Sequence, residues 1–248
     1  MANWNDQRPD LSGMGASSFN GQATGQGAFV YDQGLRRHML SIYNYMASGV
    51  LLSGIIALLF ARSGMAAAVM ATPLKWLIML APLGFVFGMS LGAHRMRTST
   101  LQGLFWGFCV IMGLSLSTIF LVFTGASIAT TFFATAGAFA GLSLVGYTTK
   151  KDLSGMGSFM IMGLFGIIIA SLVNLFLQSS GLNLVISVLG VLIFAGLTAY
   201  DTQRLKQEYY MLAGSEFAGK AVVLGALTLY LDFINMFQFL LSFLGNRE

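Results

Sequence analysis

Seven long apolar segments follow one another along the chain, and short polar stretches separate them. Each segment has about the 20 residues that an α-helix needs to cross the hydrocarbon core of a bilayer. Two stretches, residues 98–149 and 153–200, contain no Asp, Glu, Lys or Arg, and each has room for a pair of spans. The pattern therefore predicts an all-α, polytopic membrane protein with seven transmembrane helices, at residues 39–61, 74–93, 101–123, 127–147, 157–178, 182–200 and 220–244.

The segment before the first apolar run, residues 1–34, is rich in Gly, Ser and Gln and has no helical periodicity. Such a composition buries too little apolar surface to offset the conformational entropy that is lost on ordering. We therefore predict a disordered cytoplasmic tail at residues 1–34 and one seven-helix transmembrane domain at residues 35–248.

Charged residues make up only 9% of the 248 residues, and hydrophobic residues make up 56%. Soluble domains carry about 25% charged residues, so this composition excludes a soluble enzyme, a nucleic-acid-binding domain and a disordered scaffold. The sequence also lacks a Ser-His-Asp set, a metal-ligand cluster, a phosphate-binding loop and a cofactor motif. We therefore expect a protein that is not an enzyme and has no cofactor. Its partner is the lipid bilayer, and it binds no nucleic acid.

The distribution of Lys and Arg predicts the orientation, because cytoplasmic loops carry an excess of both residues. With the N-terminus in the cytoplasm, ten of the thirteen fall on the inner side, and only Arg62, Lys75 and Arg247 fall on the outer side. The C-terminus is then outside. If the last segment is re-entrant instead, the C-terminus returns inside and the tally becomes eleven to two, so charge leaves this point open. The short loops favour a bacterial cytoplasmic (inner) membrane.

One acidic residue, Asp232, lies about twelve residues into the last apolar segment. An acid at that depth costs at least about 2.5 kcal/mol, so it should face the interior of the helix bundle and mark a functional site. Gly225, Thr228, Asp232 and Asn235 recur at spacings of three, four and three and form one small, polar stripe on a helix. We therefore expect the other six helices to surround the last one.

A second acid, Asp201, closes the sixth segment, at the cytoplasmic end of the predicted topology. Arg204 is three residues further on, so one interpretation is an ion pair on the helix surface. The other is a meeting with Asp232, because consecutive antiparallel helices bring both acids to the same half of the membrane. Two such carboxyl groups would share a proton near neutral pH, and if both were ionised they could bind a hard cation such as Ca²⁺. Spacing alone leaves both interpretations open.

Asn174, in the fifth segment, is a further polar residue inside the membrane. Its amide either lines a path or forms a hydrogen bond between helices, and we favour the helix contact.

Two segments, GLTAYDTQRLKQ and LYLDFINMFQFLLSFLGNR, closely resemble the end of proteins of the Bax inhibitor-1 (transmembrane Bax-inhibitor-motif) family. APLGFVFGMSLGAHRM and FWGFCVIMGLSLSTIFLVFTG are similar to its second and third spans. The resemblance implies seven helices with the last at the centre, and a pH-dependent calcium leak with an aspartate pair as sensor and latch. That pair maps onto Asp201 and Asp232. The family also places an arginine of the second helix near the pair. Arg95 and Arg97 are the candidates here, and we favour Arg95.

Two functions from different classes follow. The first is a pH-sensitive calcium leak, which the aspartate pair gates. The second is a membrane regulator that transports nothing and acts on a membrane-bound protease or a stress pathway through the tail. An intramembrane hydrolase is disfavoured, because the glycine-aspartate signature of intramembrane aspartyl proteases is absent.

Overall fold

The computed structural model describes residues 22–212 and 214–246, and describes side chains from Gln33 onwards. This part of the chain is helical and has no strand. A 3-10 turn, Ser117–Leu121, prolongs the fourth helix. The helices are α1 (Gln22–Arg62), α2 (Met65–Met70), α3 (Leu74–Gly92), α4 (Thr98–Leu116), α5 (Gly125–Thr148), α6 (Ser154–Leu177), α7 (Ser180–Leu212) and α8 (Ala218–Leu244).

Seven of these helices are long and apolar enough to cross a membrane, and each coincides with one predicted segment. The prediction of an all-α membrane fold with seven spans is confirmed. The turn that we predicted directly after the sixth segment is wrong, however, because α7 continues from residue 200 to Leu212. Residues 201–212 contain no Gly or Pro and several strong helix formers, so nothing ends the helix there. Asp201 consequently lies inside a continuous helix.

The first helix begins earlier than the predicted membrane domain does. Residues 22–34, which we predicted as part of the tail, belong to α1. Adding residues to an existing helix costs far less than nucleating a new one, and residues 22–34 contain no proline to stop the extension. The remainder of the predicted tail, residues 1–21, lies outside the described residues.

The last helix, α8, is the most buried of the spanning helices and packs against α1, α4, α5 and α7. Its central position is therefore confirmed, but four helices rather than six form its immediate surroundings. α3 packs mainly against α4, and α6 packs mainly against α7. Small residues on α8 allow this close packing. A side chain added at Gly225 would meet Leu205 of α7 and Ile42 of α1.

Inside the bundle, a buried hydrogen-bond cluster joins three helices. The hydroxyl oxygen of Ser53 on α1 lies 2.7 Å from the carbonyl oxygen of Cys109 on α4 and 2.7 Å from the hydroxyl oxygen of Tyr230 on α8. Ser53 and Tyr230 are both fully buried. Because buried polar groups are costly unless they are paired, these contacts fix how deeply α8 sits relative to α1 and α4.

A glycine sets the distance between α5 and α7. A β-carbon at Gly146 would overlap the backbone carbonyl group of Ala199, which cannot move without shifting α7. Gly141, on the same helix, is exposed and has no atom within 4 Å of the equivalent position. We expect Gly146→Val to lower the free energy of unfolding by about 1–3 kcal/mol, the usual cost of overpacking.

Gly141→Val is the matched control, because it changes the same residue type in the same helix. The measurement is thermal unfolding in detergent, with a lower Tm for Gly146→Val alone. Equal Tm values for the two variants would contradict the close packing of α5 on α7.

Candidate functional site

The two predicted acids meet in the interior of the bundle. Asp201 on α7 is 5% exposed and Asp232 on α8 is 4% exposed. Their carboxyl groups lie close enough to interact directly. An ionised carboxylate can only accept hydrogen bonds, so a hydrogen bond between the two carboxyl groups would require a proton on one of them.

An arginine completes the site from the same helix as Asp201. The Nη1 atom of Arg204 lies 3.1 Å from Oδ1 of Asp201, and its Nε atom lies 3.4 Å from Oε1 of Glu208. Asp201 therefore pairs with Arg204 along α7, although it is buried rather than on the helix surface, and it also lies beside Asp232 on α8. The second carboxyl oxygen of Asp232, Oδ2, is buried and accepts no hydrogen bond from the described residues.

Arg95 and Arg97, which we predicted as partners of the pair, lie elsewhere. Both precede α4 and line a surface pocket with Glu216 and Lys220. The preference for Arg95 was therefore wrong, and Arg204 is the arginine at the pair. The helix α3 itself contains no arginine, so it places no arginine in the interior of the bundle.

A cavity of about 730 Å³ adjoins the pair, between α6, α7 and α8. We call it the aspartate cavity. Its wall on α6 is apolar except for Ser171, whereas α8 presents Thr228, Asp232 and Asn235. Three of the four residues of the small, polar stripe that we predicted on the last helix thus form the polar wall of this cavity, and the fourth, Gly225, lines a different one.

A second cavity, of about 520 Å³, lies between α3, α7 and α8 towards the C-terminal end of α7. We call it the α3 cavity. Arg204, Thr228 and Leu231 line both cavities. These three side chains therefore separate the two, and the only one of them that is charged is the arginine bound to Asp201.

The polar neighbours of Asp232 present acceptor atoms to the cavity. The Oγ1 atom of Thr228 donates to the carbonyl oxygen of Leu224 at 3.2 Å, and Nδ2 of Asn235 donates to that of Leu231 at 2.8 Å. A threonine hydroxyl has only one hydrogen, so its remaining capacity is that of an acceptor, and the amide oxygen of asparagine is an acceptor in any case. Oxygen acceptors of this kind suit a hard cation.

Asn174 has neither of the environments that we predicted. Its side-chain oxygen accepts a hydrogen bond from the backbone nitrogen of Ser179 at 3.0 Å, within the connection between α6 and α7. The residue lies in the last turn of α6, where free backbone groups need local partners. It closes the end of a helix and lines no part of the aspartate cavity.

Two side chains beside Asp201 hold α7 in place, and sequence reasoning missed the contacts of both. Thr202 donates to the hydroxyl group of Ser143 on α5 at 3.4 Å. Gln203 accepts from the backbone nitrogen of Leu153 at 2.9 Å and donates to the carbonyl oxygen of Lys151 at 2.8 Å. These contacts fix the end of α5 and the start of α6 to α7. Both residues directly follow Asp201 in GLTAYDTQRLKQ, so the only signal for them was their place in that segment.

Fold and site together define a multi-pass helical membrane protein with a buried acid pair that lines one of two adjoining cavities. The sequence model of the family described as "Inhibitor of apoptosis-promoting Bax1" matches residues 35–248, and the chain belongs to this Bax inhibitor-1 family. A protein of Caulobacter vibrioides is 49% identical over 232 residues, covering 88% of this chain and 92% of that protein. The inner membrane protein YbhL of Escherichia coli K12 is 44% identical over 219 residues, covering 87% and 94%.

Proposed function

We propose that the protein is a pH-sensitive leak for calcium and related cations, which the pair of Asp201 and Asp232 gates. The observation that carries the proposal is the position of the pair. The two buried carboxyl groups lie close together and line the aspartate cavity, and Arg204 pairs with one of them at the boundary to the α3 cavity. Ionisable groups inside a membrane mark ion pathways, and this pair is the one buried acid cluster of the described residues.

In the closed state, one proton bridges the two carboxyl groups and holds α7 against α8. The pair with its proton then carries a single negative charge beside the guanidinium group of Arg204, which also pairs with Glu208. The positive charge of this arginine repels a divalent cation at close range, because Coulomb energies are large where water is scarce.

Loss of the proton opens the path. Two ionised carboxylates at hydrogen-bond distance repel one another, so α7 and α8 move apart and the contact that separates the two cavities is weakened. The pair then has one more negative charge, and the acceptor oxygens of Thr228 and Asn235 stand beside it in the aspartate cavity. Acidic pH therefore closes the path, and alkaline pH opens it.

We further propose a bacterial inner membrane as the location, with the N-terminus in the cytoplasm and the C-terminus outside. YbhL of Escherichia coli, which is similar over 94% of its length, carries the description of an inner membrane protein. The excess of Lys and Arg at one end of the bundle supports the orientation. The continuous 27-residue α8 supports a last segment that crosses the membrane. In this proposal calcium is cargo, and the protein acts as neither an enzyme nor a cofactor carrier.

The test is calcium influx into proteoliposomes that enclose a calcium-sensitive dye, measured at about pH 6, 7 and 8 across the range in which such a pair titrates. The expected result is influx that rises with pH and is absent from protein-free liposomes. Influx that is the same at each pH would contradict the gate. No influx at any pH, from protein shown to be folded, would contradict the leak and favour the regulator of a membrane-bound protease.

A further inference from the structure

A third opening, separate from the aspartate cavity and the α3 cavity, lies between α1 and α5. We call it the α1–α5 groove. Its volume is about 590 Å³, within the range of about 300–1,000 Å³ in which protein sites hold small molecules. Met46, Phe139 and Phe233 form its apolar interior, and the exposed Leu40 and Leu144 flank it on the outer surface of the bundle. The groove therefore opens towards the acyl chains of the bilayer.

The mouth of this groove is positively charged. Arg36, near the start of the first span, lines the groove and is exposed. Tyr147 lines it at the same end, and Nζ of Lys206 donates to the carbonyl oxygen of Tyr147 at 2.9 Å while lying 5.1 Å from the centroid of its ring. None of the residues that line the groove is acidic. One end thus has Arg36 in its lining and Lys206 against Tyr147, and the remainder is apolar except for Tyr43 and Ser143.

We infer that the α1–α5 groove binds one anionic phospholipid. The phosphate group lies at Arg36, whose planar guanidinium can hold two phosphate oxygens at once, and Lys206 adds a second positive charge at Tyr147. One acyl chain extends along Met46 and Phe139 to Phe233 of α8. The charge of the mouth selects the headgroup, because basic pockets between transmembrane helices attract anionic lipids. A free inorganic anion would occupy only the mouth, whereas a phospholipid also fills the largely apolar interior.

The test is native mass spectrometry of the full, delipidated chain in detergent, titrated with phosphatidylglycerol or with phosphatidylcholine as the zwitterionic comparison. The expected result is one phosphatidylglycerol bound in preference to phosphatidylcholine. Arg36→Gln is expected to weaken this binding roughly tenfold, the scale of one lost charge-assisted contact. Arg37→Gln is the matched control, because Arg37 is equally exposed but does not line the groove. It should bind as the wild type does.

A second pair of variants tests the acyl-chain position without changing charge. Ala140 lines the groove, whereas Ala138 is exposed on the same helix outside it. We expect Ala140→Trp to abolish one-to-one binding of phosphatidylglycerol and Ala138→Trp to leave it unchanged. Equal affinity for the two lipids, equal losses for Arg36→Gln and Arg37→Gln, or unchanged binding in Ala140→Trp would each overturn the inference. These outcomes are independent of any ion flux.

Discussion

Replacing Asp232 by Asn is expected to abolish the pH dependence of calcium influx and to hold it at the level that the wild type shows at acidic pH. The amide has the shape of the carboxylic acid and its Nδ2 donates permanently to Asp201, so α7 and α8 stay together at every pH. In the wild type, each pH unit below the midpoint changes the deprotonated fraction by about tenfold, and influx should follow it. In Asp232→Asn this change should vanish.

The matched control for this variant is Asp152→Asn. Asp152 is an exposed acid in the connection between α5 and α6, where its carboxylate accepts from the backbone nitrogen of Ser154. The same substitution there leaves the interior untouched and should keep the wild-type profile. If Asp232→Asn keeps the wild-type pH profile, and the variant protein elutes from size-exclusion chromatography as the wild type does, the result would contradict a role of the pair in the gate.

Replacing Arg204 by Gln is the second change with a large expected effect. The guanidinium group favours the ionised form of Asp201, and without it the pair keeps its proton to higher pH. We expect the pH of half-maximal influx to rise by about one unit or more, the usual effect of one arginine on a neighbouring carboxyl group. We also expect a higher maximal influx, because the positive charge between the two cavities is gone. The measurement is the full pH profile of calcium influx in proteoliposomes.

Arg95→Gln is the control for this prediction. Arg95 lines a surface pocket to which neither aspartate nor Arg204 contributes, so its loss should leave the half-maximal pH unchanged. A shift in Arg95→Gln without one in Arg204→Gln would restore the assignment that the family resemblance suggested and contradict the one given by the contacts.

The helices could be predicted from the sequence because lipid imposes a simple requirement. A span needs about 20 residues without unpaired charge, and the charge-free stretches at residues 98–149 and 153–200 satisfy it visibly. The same requirement singled out Asp232, the acid in the middle of such a span. The end of α7 was predicted wrongly, because the charges after residue 200 were interpreted as a turn. A helix that extends beyond the membrane tolerates these charged residues.

Contacts between helices could not be predicted from the spacing of residues along the sequence. Asn174 and Asn235 are both asparagines in apolar helices, yet one closes a helix end and the other lines a cavity. The pairing of Arg204 with Asp201 follows from their spacing of three on one helix, whereas the meeting of Asp201 with Asp232 depends on how α7 and α8 face one another, which no local pattern encodes. The α1–α5 groove, likewise, exists only because two helices that both pack on α8 diverge from one another.

The shared proton of Asp201 and Asp232 is tested most directly by infrared difference spectroscopy of proteoliposomes between about pH 6 and pH 8, the range assigned to the gate. A protonated carboxyl group has a carbonyl stretching band that an ionised one lacks. We predict that this band is present at acidic pH, disappears as calcium influx rises, and is missing from Asp232→Asn. A wild type that lacks the band at acidic pH, or a band that persists unchanged in Asp232→Asn, would contradict a proton held by this pair.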